Sequence, residues 1–277
     1  MRAESSITRC SVSSSGRKFD MIRRLLHLFI CLLVVVFLLG PRTPASAETP
    51  VGFNIDHRVI VAIDAPAAGV QHLLPKGWVS MPFPAGPVTG ANILFVFADS
   101  KLQLDGEGQP LSPATRHAIV LVGMARKVEG DEVRLFVLRI YSTTPEVDPY
   151  GVSVAAEMSR QTQLIGAENG ARTSIYTWKM HVAEAQSLDF RLGYTVGTPM
   201  WGPDEVFPHS ATTPEFSRIY RIEQMVDLVK SVPLEMDRVS EMTLTSSVPA
   251  LAGILDGSEE IVAVMDVPVY LRHIWLP

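Results

Sequence analysis

Cysteine is almost absent from this sequence of 277 residues, which contains only Cys10 and Cys31. Both lie in the N-terminal 47 residues, so a chain that lost this segment could form no disulfide and could offer neither a thiolate nucleophile nor a cysteine ligand for a metal. Positive charge is also scarce, because 24 Lys and Arg stand against 29 Asp and Glu, for a net charge of −5. Nucleic-acid-binding domains are usually basic, so this class of protein is excluded.

The N-terminal 47 residues have the composition of an export signal. Arg23 and Arg24 precede the apolar run Leu25–Gly40, and small residues occupy positions 45–47. This order of a basic, an apolar and a small-residue region is typical of a signal peptide, with cleavage here after Ala47. The alternative is an uncleaved anchor, although the apolar run spans only about 24 Å as a helix. The polar stretch before Met21 is unusually long, and Met21 is a second candidate for the start of translation.

Removal of this segment would change the charge of the protein. Seven basic and two acidic residues would leave with it, so residues 48–277 carry 17 basic and 27 acidic residues and a net charge of −10. An acidic surface argues against binding to nucleic acid or to an anionic membrane. We therefore predict an exported protein, periplasmic or secreted, in which residues 48–277 form one domain. Only an uncleaved N-terminal segment would contact a membrane.

Segments with the composition of β-strands follow one another along this domain. They are rich in Val, Ile, Leu and aromatic residues and are bounded by Gly, Pro and Asp, as strands usually are. Two turns, at residues 128–131 and 184–187, join neighbouring segments as hairpins. The predicted strands are Arg58–Ile63, Ala91–Ala98, His117–Lys127, Glu132–Ser142, Arg172–Ala183, Leu188–Val196 and Ile261–Ile274.

Helical patterns are fewer. Ala67–Leu74 is short and amphipathic, and Val152–Ile165 is followed by a glycine at the expected C-terminal position. Pro214–Ser231 has apolar residues on one face, and Thr212 with Glu215 would form a capping box at its start. The predicted fold class is mainly β with a few helices (α+β). Its antiparallel strands would form a closed or nearly closed sheet, or a sandwich.

Several kinds of active site are missing from the sequence. It contains no P-loop, no G-x-G-x-x-G and no H-E-x-x-H motif, and no histidine pair has the helical spacing of a metal site. We therefore expect neither a cofactor nor a bound metal. Lys179 lies within an apolar strand, where a buried lysine could act as a nucleophile. The same strand face carries Thr177 and His181, which favours exposure of Lys179 to solvent.

The order of these elements resembles a known family. A strand that begins at Arg58, a short helix followed by Leu73-Leu74-Pro75, the strand 90–95, a loop, a long hairpin and a helix are similar in order to the acetoacetate decarboxylase-like superfamily. The resemblance covers roughly the chain from Asn54 to the C-terminus. It implies an antiparallel β-barrel or cone that encloses a hydrophobic cavity for a small molecule.

The catalytic segment of that family reads Glu-x-Ser-x-x-Pro-Lys-Lys-x-Gly. The sequence matches it at Glu157, Ser159 and Gly166 with unchanged spacing. The two adjacent lysines of the family, one of which forms a Schiff base while the other lowers its pKa, fall on Gln163 and Leu164. Neither side chain can form an iminium, so the resemblance implies chemistry without a Schiff base. Glu157 would be a catalytic group, and Gln163 would polarise a substrate carbonyl by hydrogen bonding.

Two further positions match residues of the family's site. Arg58 matches the arginine that opens the first barrel strand and would bind a substrate carboxylate through charge-assisted hydrogen bonds. Glu107 matches the glutamate in the loop after the second strand and would act as a general acid or base. Each candidate also has a plainer interpretation: a surface ion pair for Arg58, an exposed turn residue for Glu107 and a solvent-facing residue for Glu157.

Three functions are compatible with these residues. The leading hypothesis is an exported protein that binds a small hydrophobic or oxo-acid ligand in a barrel cavity, either with or without a lyase activity. The second is a non-catalytic module that binds a small molecule or lipid in the same cavity. The third is a structural protein of the cell envelope, retained by an uncleaved anchor. A small-molecule ligand is the expected partner, and the sequence leaves homo-oligomer formation open.

Overall fold

Strands make up most of the chain after residue 48. The computed structural model describes residues 47–277 except residues 167 and 169, so the predicted signal peptide lies outside the described residues apart from Ala47. Residues 48–277 form one compact unit. The strands are β1 (Thr49–Asp64), β2 (Trp78–Met81), β3 (Ile93–Asp105), β4 (Arg116–Lys127), β5 (Val133–Ser142), β6 (Ser153–Ala155), β7 (Glu157–Gly166), β8 (Arg172–Ala183), β9 (Gln186–Thr195), β10 (Met200–Val206), β11 (Pro208–Ser210), β12 (Ile219–Ser231), β13 (Met236–Asp237), β14 (Val239–Ser246) and β15 (Glu260–Leu276).

Helices are short. The α-helix α1 spans Ala67–Gln71, so the helix predicted to begin at Ala67 is present but ends before Leu74. Among the described residues, no helix has the length and apolar character needed to cross a membrane. Single 3-10 turns occupy Gly86–Val88, Pro145–Val147 and Pro249–Leu251.

The predicted fold class is confirmed. All seven predicted strands are present, and the two predicted hairpin turns join β4 to β5 and β8 to β9. Most strand pairs are antiparallel, and the parallel pairs involve only the short strands β6 and β11, both against β5. The chain is therefore a mainly β protein with short helical insertions.

The helix predicted over residues 152–165 is wrong. This segment forms β6 and β7, and β7 pairs with β8 along its whole length, from Glu157 opposite His181 to Gly166 opposite Arg172. Its Glu, Met, Arg, Gln and Leu residues favour a helix when the segment is considered alone. This preference amounts to a fraction of a kcal/mol per residue, and pairing with a neighbouring strand overrides it.

The helix predicted over residues 214–231 is also wrong. β12 occupies Ile219–Ser231 and pairs with β10 on one side and β15 on the other. Ile219, Tyr220 and Ile222 are all buried, so apolar residues recur without the strict alternation of a half-exposed strand. The predicted capping box is absent, because Thr212 Oγ1 donates a hydrogen bond to the carbonyl oxygen of Tyr150 at 2.8 Å.

An eleven-stranded sheet curls into a cone. Its strand order is β10-β12-β15-β1-β3-β4-β5-β11, and β13, β2 and β6 pair with β12, β4 and β5. The two ends of this order, β10 and β11, are separated in the chain by Phe207 alone. The sheet therefore returns to its starting point through continuous chain, although no strand ladder joins its two ends. The predicted barrel is present as this open cone.

A second, four-stranded sheet of order β14-β9-β8-β7 packs against the outer face of the cone. Alternate residues of the cone strands, such as Val59, Phe97 and Leu121, share a hydrophobic core with Trp178 and Phe190 of the second sheet. The rings of Phe97 and Phe190 stack with their centroids 4.3 Å apart. Because successive side chains of a strand point to opposite faces, the remaining residues of β1, β3 and β4 face the inside of the cone.

Candidate ligand-binding site

A cavity of about 220 Å³ occupies the interior of the cone. Strands β1, β3, β4, β5, β12 and β15 contribute its walls, together with the segment 144–153. Alternating positions of β3, namely Val96, Ala98 and Ser100, show how a strand presents every second side chain to this space. The volume corresponds to on the order of seven water molecules. It is therefore suited to a metabolite smaller than a typical drug molecule.

Two β-bulges shape the wall on either side of β1. Between Asp56 and Arg58, β1 advances by two residues while β15 advances by three, and Pro268 lies in this bulged stretch. The register between β1 and β3 also shifts next to Asp56. Proline has no N–H to contribute to a ladder and is tolerated at bulges, which commonly re-aim side chains next to functional sites. Asp56 and Arg58 both line the cavity here.

Arg58 reaches the cavity already paired with an acid. Its Nε and Nη2 atoms donate to Asp56 Oδ2 at 2.9 and 2.5 Å, and its guanidinium carbon lies 3.6 Å from the centre of the Tyr270 ring. Burial would raise the pKa of Asp56, but the charges of Arg58 and Arg272 outweigh it and hold this pKa below its usual value. Asp56 is therefore a carboxylate, and it neutralises Arg58 within the protein.

Arg272 is the second arginine of the cavity wall, on β15. Its Nε donates to Asn54 Oδ1 at 2.7 Å, and its guanidinium carbon lies 4.2 Å from the centre of the Tyr220 ring. Within the described residues its two terminal nitrogens have no hydrogen-bond partner and it makes no ion pair. The asparagine and the aromatic ring thus fix the side chain while its terminal N–H groups stay available for a ligand.

Two more arginines, Arg116 and Arg218, line the same cavity and also lack an ion pair in the part of the chain that the structure describes. Burial, followed by repulsion from Arg272, lowers the pKa of Arg116. The Nε of Arg218 is buried and has no hydrogen-bond partner. Asp148 is the second acid of the lining, and its carboxylate accepts three backbone N–H groups at 2.7–2.8 Å. The four arginines and two aspartates give the cavity lining a net charge of +2.

Three tyrosines also belong to the polar part of the lining. The hydroxyl groups of Tyr150 and Tyr220 lie 2.5 Å apart, and Tyr270 is covered by the Arg58 guanidinium. Burial raises the pKa of Tyr150 and of Tyr270. Tyr150 and Tyr270 therefore keep their hydroxyl protons near neutral pH, and a tyrosine hydroxyl that does not donate within the Tyr150–Tyr220 pair can donate a hydrogen bond to a ligand oxygen.

The larger part of the cavity wall is apolar. Its aliphatic side chains come mainly from β4 and β5 and include Val120, Val137 and Ile140. A small pocket with an apolar wall and a few convergent polar groups is the usual form of a metabolite site. The carbon skeleton of a ligand would lie against the aliphatic wall while its charged groups meet the arginines.

The structure places only one of the four predicted site residues in this cavity, namely Arg58. Glu107 is exposed in the turn after β3, and Glu157 and Gln163 are exposed on β7 in the second sheet. The four residues are therefore not brought together around one cavity, and the catalytic roles of Glu107, Glu157 and Gln163 stay predictions. Lys179 is exposed, as expected.

The cavity lining also offers no lysine in the described part of the chain. Within the same residues, no three His, Cys, Asp or Glu side chains are grouped so that they could hold a metal ion. The groups available for contact with a ligand are therefore arginine, tyrosine and aliphatic side chains, together with the neutral polar side chains of the lining, namely Ser100, Gln103, Ser142, Thr144 and Ser153.

Three arginines of the cavity, Arg116, Arg218 and Arg272, were not predicted as site residues from the sequence. Every second residue of β4 from Arg116 onwards lines the cavity, namely Arg116, Ala118, Val120 and Val122. Because side chains of a strand alternate between its two faces, this pattern could have indicated that Arg116 shares a face with these apolar residues. Arg218 immediately precedes a strand that the sequence analysis assigned to a helix. For Arg272 no local signal indicates the inner face, because bulges in β15 change which side chains point inward.

A second polar cluster lies on the opposite side of β1, between the cone and the outer sheet. His57 Nε2 is 2.7 Å from Asp266 Oδ1, and Arg160 Nη2 is 2.5 Å from His57 Nδ1. Because a guanidinium can only donate, Nδ1 must accept, which assigns the ring proton to Nε2. Arg160, from β7, also pairs with Asp99 of β3. This chain of contacts ties the outer sheet to the strand that carries Asp56 and Arg58.

Two tyrosines of the outer sheet complete this cluster. Tyr176 and Tyr194 donate to Asp266 Oδ2 at 3.2 and 2.6 Å. Burial, followed by the charge of Asp266, raises the pKa of Tyr176 to about 12 and that of Tyr194 further. The native state therefore holds these phenolic protons more tightly than the unfolded chain does.

We expect the protein to lose stability in alkaline solution. A group whose native pKa is raised contributes its full stabilisation below the unfolded pKa, here about 10, and loses it as the pH rises towards the native value. Between pH 9 and 11.5, the free energy of unfolding in urea should fall, and Tyr176→Phe should make this fall smaller by about 2 kcal/mol. Equal falls for the two proteins would contradict this account of Tyr176.

Comparisons with known proteins give structural similarities only. No family model and no curated protein matches the sequence. An acetoacetate decarboxylase-like enzyme from Sphingomonas wittichii RW1 is 14% identical with a TM-score of 0.47, over 85% of this chain and 95% of that chain. The enduracididine biosynthesis enzyme MppR with HEPES buffer bound is 12% identical with a TM-score of 0.49, over 86% and 91% of the two chains.

A further structure of MppR, complexed with pyruvate, is 10% identical with a TM-score of 0.46, over 85% of this chain and 92% of that chain. The resemblance predicted from the sequence is thus found again among solved structures. At these identities, and with TM-scores below 0.5, it says nothing about the ligand or the reaction of this chain. In structure, this chain is similar to proteins of the acetoacetate decarboxylase-like type.

Proposed function

We propose that this protein binds a small oxo acid in the cavity of the cone and holds it by its carboxylate. The observation that carries the proposal is the net charge of +2 around a small internal cavity. Charged groups that are partly removed from water are usually paired, and Arg116, Arg218 and Arg272 are each partly buried without an ion pair among the described residues. A bound organic anion would supply the missing partner.

Arg272 is the side chain best placed to receive the carboxylate. Its Nε is held by Asn54 and its plane lies near the Tyr220 ring, so the fork of terminal N–H groups is fixed before a ligand arrives. A planar guanidinium matches a carboxylate through two parallel hydrogen bonds. Pre-organisation of this kind lowers the entropy that binding costs.

The pair of tyrosines, Tyr150 and Tyr220, is suited to a ligand that carries an oxo group. A ketone oxygen only accepts hydrogen bonds, and the Tyr150–Tyr220 pair, in which one hydroxyl donates to the other, has one further hydroxyl proton to donate to a ligand. The aliphatic wall would contact the remaining carbon atoms. Arginine, tyrosine and aliphatic groups together match the parts of a short oxo acid.

The lyase activity implied by the family resemblance is a further part of this proposal. With no lysine among the described lining residues, it would proceed without a Schiff base, and Tyr150 and Tyr220 are the candidate proton donors in the cavity. Export with cleavage after Ala47 is likewise proposed, and it rests on the composition of residues 1–47.

Calorimetric titration of the purified chain with 2-oxovalerate tests the proposal. We expect saturable binding and, at a ligand concentration of a hundred times Kd, a stabilisation of about 2.7 kcal/mol. For a chain of this size that corresponds to a rise of roughly 5–10 °C in the unfolding temperature. The measurement should be repeated in high salt, where a charge-dependent interaction of a partly enclosed site weakens.

The matched control is the neutral amide of the same acid. It has the same shape but cannot pair with a guanidinium as an anion, so its binding should be too weak to measure. Equal binding of acid and amide would assign recognition to the apolar wall. Absence of binding by the acid and by other short oxo acids would refute the proposed function.

A further inference from the structure

The positive charge of the cavity is distributed over separate walls. Arg272 lies on β15 and Arg116 on β4, and β1 and β3 stand between these strands in the sheet. At a spacing of about 4.8 Å between neighbouring strands, their backbones are roughly 14 Å apart along the curved wall. Arg218 precedes β12, on the far side of β15. One carboxylate forms a bidentate pair with one guanidinium, so it cannot serve all three.

The net charge of the cavity lining also indicates a ligand with more than one anionic group. Asp56 neutralises Arg58, and the carboxylate of Asp148 is held by three backbone N–H groups, which leaves the lining at +2. A ligand with one negative charge would leave one positive charge uncompensated in a partly enclosed space lined by partly buried arginines. Such a charge is less favourable than in bulk water. A ligand with two negative charges would make the site neutral.

The buried Nε of Arg218 supplies an independent observation. It is a charged donor without a hydrogen-bond partner, whereas buried polar groups in proteins nearly always have one. Arg272 lies opposite Ile222 in the ladder between β12 and β15, and Arg218 precedes Ile222 by four residues, so at about 3.3 Å per residue the two backbones are roughly 13 Å apart along the strands. A single carboxylate forms its bidentate pair with only one of the two guanidinium groups. A second anionic group on the ligand would pair with the terminal nitrogens of Arg218, which lines the cavity and makes no ion pair with the described residues.

We infer that the natural ligand is a short dicarboxylate, with one carboxylate bound at Arg272 and the other at Arg218. The inference rests on the proposed function and adds to it a second anionic group at the far end of the ligand. A cavity with room for on the order of seven water molecules suits a dicarboxylate of about four or five carbons. The aliphatic wall contacts its methylene groups.

A phosphate is the other common dianion, and the construction of the cavity favours carboxylates. Phosphate groups are typically bound by backbone N–H groups at a helix N-terminus or in a nest. Most of the wall consists of strands whose N–H groups pair within the sheet, and in the segment 144–153 the N–H groups of Tyr150, Val152 and Ser153 already donate to Asp148. The helix α1 does not contribute to the lining. The charge is also divided between walls, which fits two separate carboxylates better than one compact dianion.

Titration of the full-length chain with two matched ligands tests this inference. 2-Oxoglutarate and 2-oxovalerate share a five-carbon skeleton and the same oxo-acid end, and they differ only in the second carboxylate. We expect 2-oxoglutarate to bind about ten- to a hundredfold more tightly, because it gains charge-assisted hydrogen bonds. Inorganic phosphate in the same buffer should not compete at equal concentration.

The variant Arg218→Gln identifies where the second carboxylate binds. It should reduce the preference for 2-oxoglutarate to less than about threefold and leave the affinity for 2-oxovalerate nearly unchanged. Arg116→Gln provides a second variant from another wall if Arg218→Gln fails to fold. The matched control is Arg191→Gln, because Arg191 makes an exposed ion pair with Glu241 on the outer sheet and should leave both affinities unchanged.

Each outcome distinguishes this inference from the proposed function. If 2-oxovalerate binds as tightly as 2-oxoglutarate, the dicarboxylate inference is wrong and the oxo-acid function stands. If phosphate competes at equal concentration, the second charge belongs to a phosphate and the inference is also wrong. If neither oxo acid binds, both fail. An unchanged preference in Arg218→Gln and Arg116→Gln would contradict the assignment of the second carboxylate.

Discussion

Replacement of Arg272 by glutamine is expected to weaken the binding of 2-oxovalerate by about thirtyfold to more than a thousandfold. Truncating one partner of a buried, hydrogen-bonded charge pair typically costs about 2–5 kcal/mol, and each 1.4 kcal/mol corresponds to a factor of ten in Kd. Arg272 is held by Asn54 and Tyr220 with its terminal N–H groups free for a ligand, and glutamine offers no charged fork in its place. Calorimetric titration of the variant and the unsubstituted protein measures the effect.

The stability of the same variant provides the control for folding. Loss of the hydrogen bond to Asn54 is offset by relief of the repulsion between Arg272 and Arg116. The unfolding temperature of the unliganded variant should therefore change by no more than about 4 °C. Arg272→Lys keeps the charge but not the planar fork, and it should bind with intermediate affinity. Normal affinity in Arg272→Gln would remove this residue from the site.

Replacement of Asp266 by alanine is expected to lower the free energy of unfolding by about 3–5 kcal/mol, the cost typical of breaking a buried charge cluster by removing one partner. Its carboxylate accepts hydrogen bonds from His57, Tyr176 and Tyr194, and all three donors would be left without it. The side chain is 6% exposed, so water cannot easily take its place. Urea denaturation followed by fluorescence measures the change.

An exposed ion pair of the outer sheet provides the comparison. Glu241→Gln breaks the pair with Arg191, whose side chains are 44% and 45% exposed, and should cost no more than about 1 kcal/mol. The difference between the two variants isolates the contribution of burial. A loss below about 1 kcal/mol in Asp266→Ala would show that the inter-sheet cluster does not hold the two sheets together.

Local sequence patterns were sufficient for most of the strands. The runs in β4 and β5 alternate, and they are separated by a turn that contains Gly130, so their hairpin can be recognised without any long-range information. β7 and β12 could not be recognised in this way. β7 is rich in helix-forming residues and becomes a strand through pairing with β8, and β12 carries buried residues at spacings that also suit a helix.

The candidate site was only partly accessible to sequence reasoning. Arg58 was proposed from the family resemblance, and the structure places it in the cavity, next to Asp56. Arg116 and Arg272 lie 156 positions apart in the sequence. They line one space because β15, β1, β3 and β4 are consecutive in the curled sheet. Such proximity depends on strand order and register, which no local pattern contains.

From the sequence alone, the alternating apolar segments predict a mainly β protein. The scarcity of cysteine excludes disulfides and thiolate chemistry after residue 47, and the excess of acidic residues excludes a basic nucleic-acid binder. These properties depend on composition and on neighbours along the chain. The positively charged cavity of this overall acidic chain is visible only in the tertiary structure. Curling of the sheet and bulges beside β1 turn particular arginines inward, whereas Glu107 and Glu157 stay at the surface.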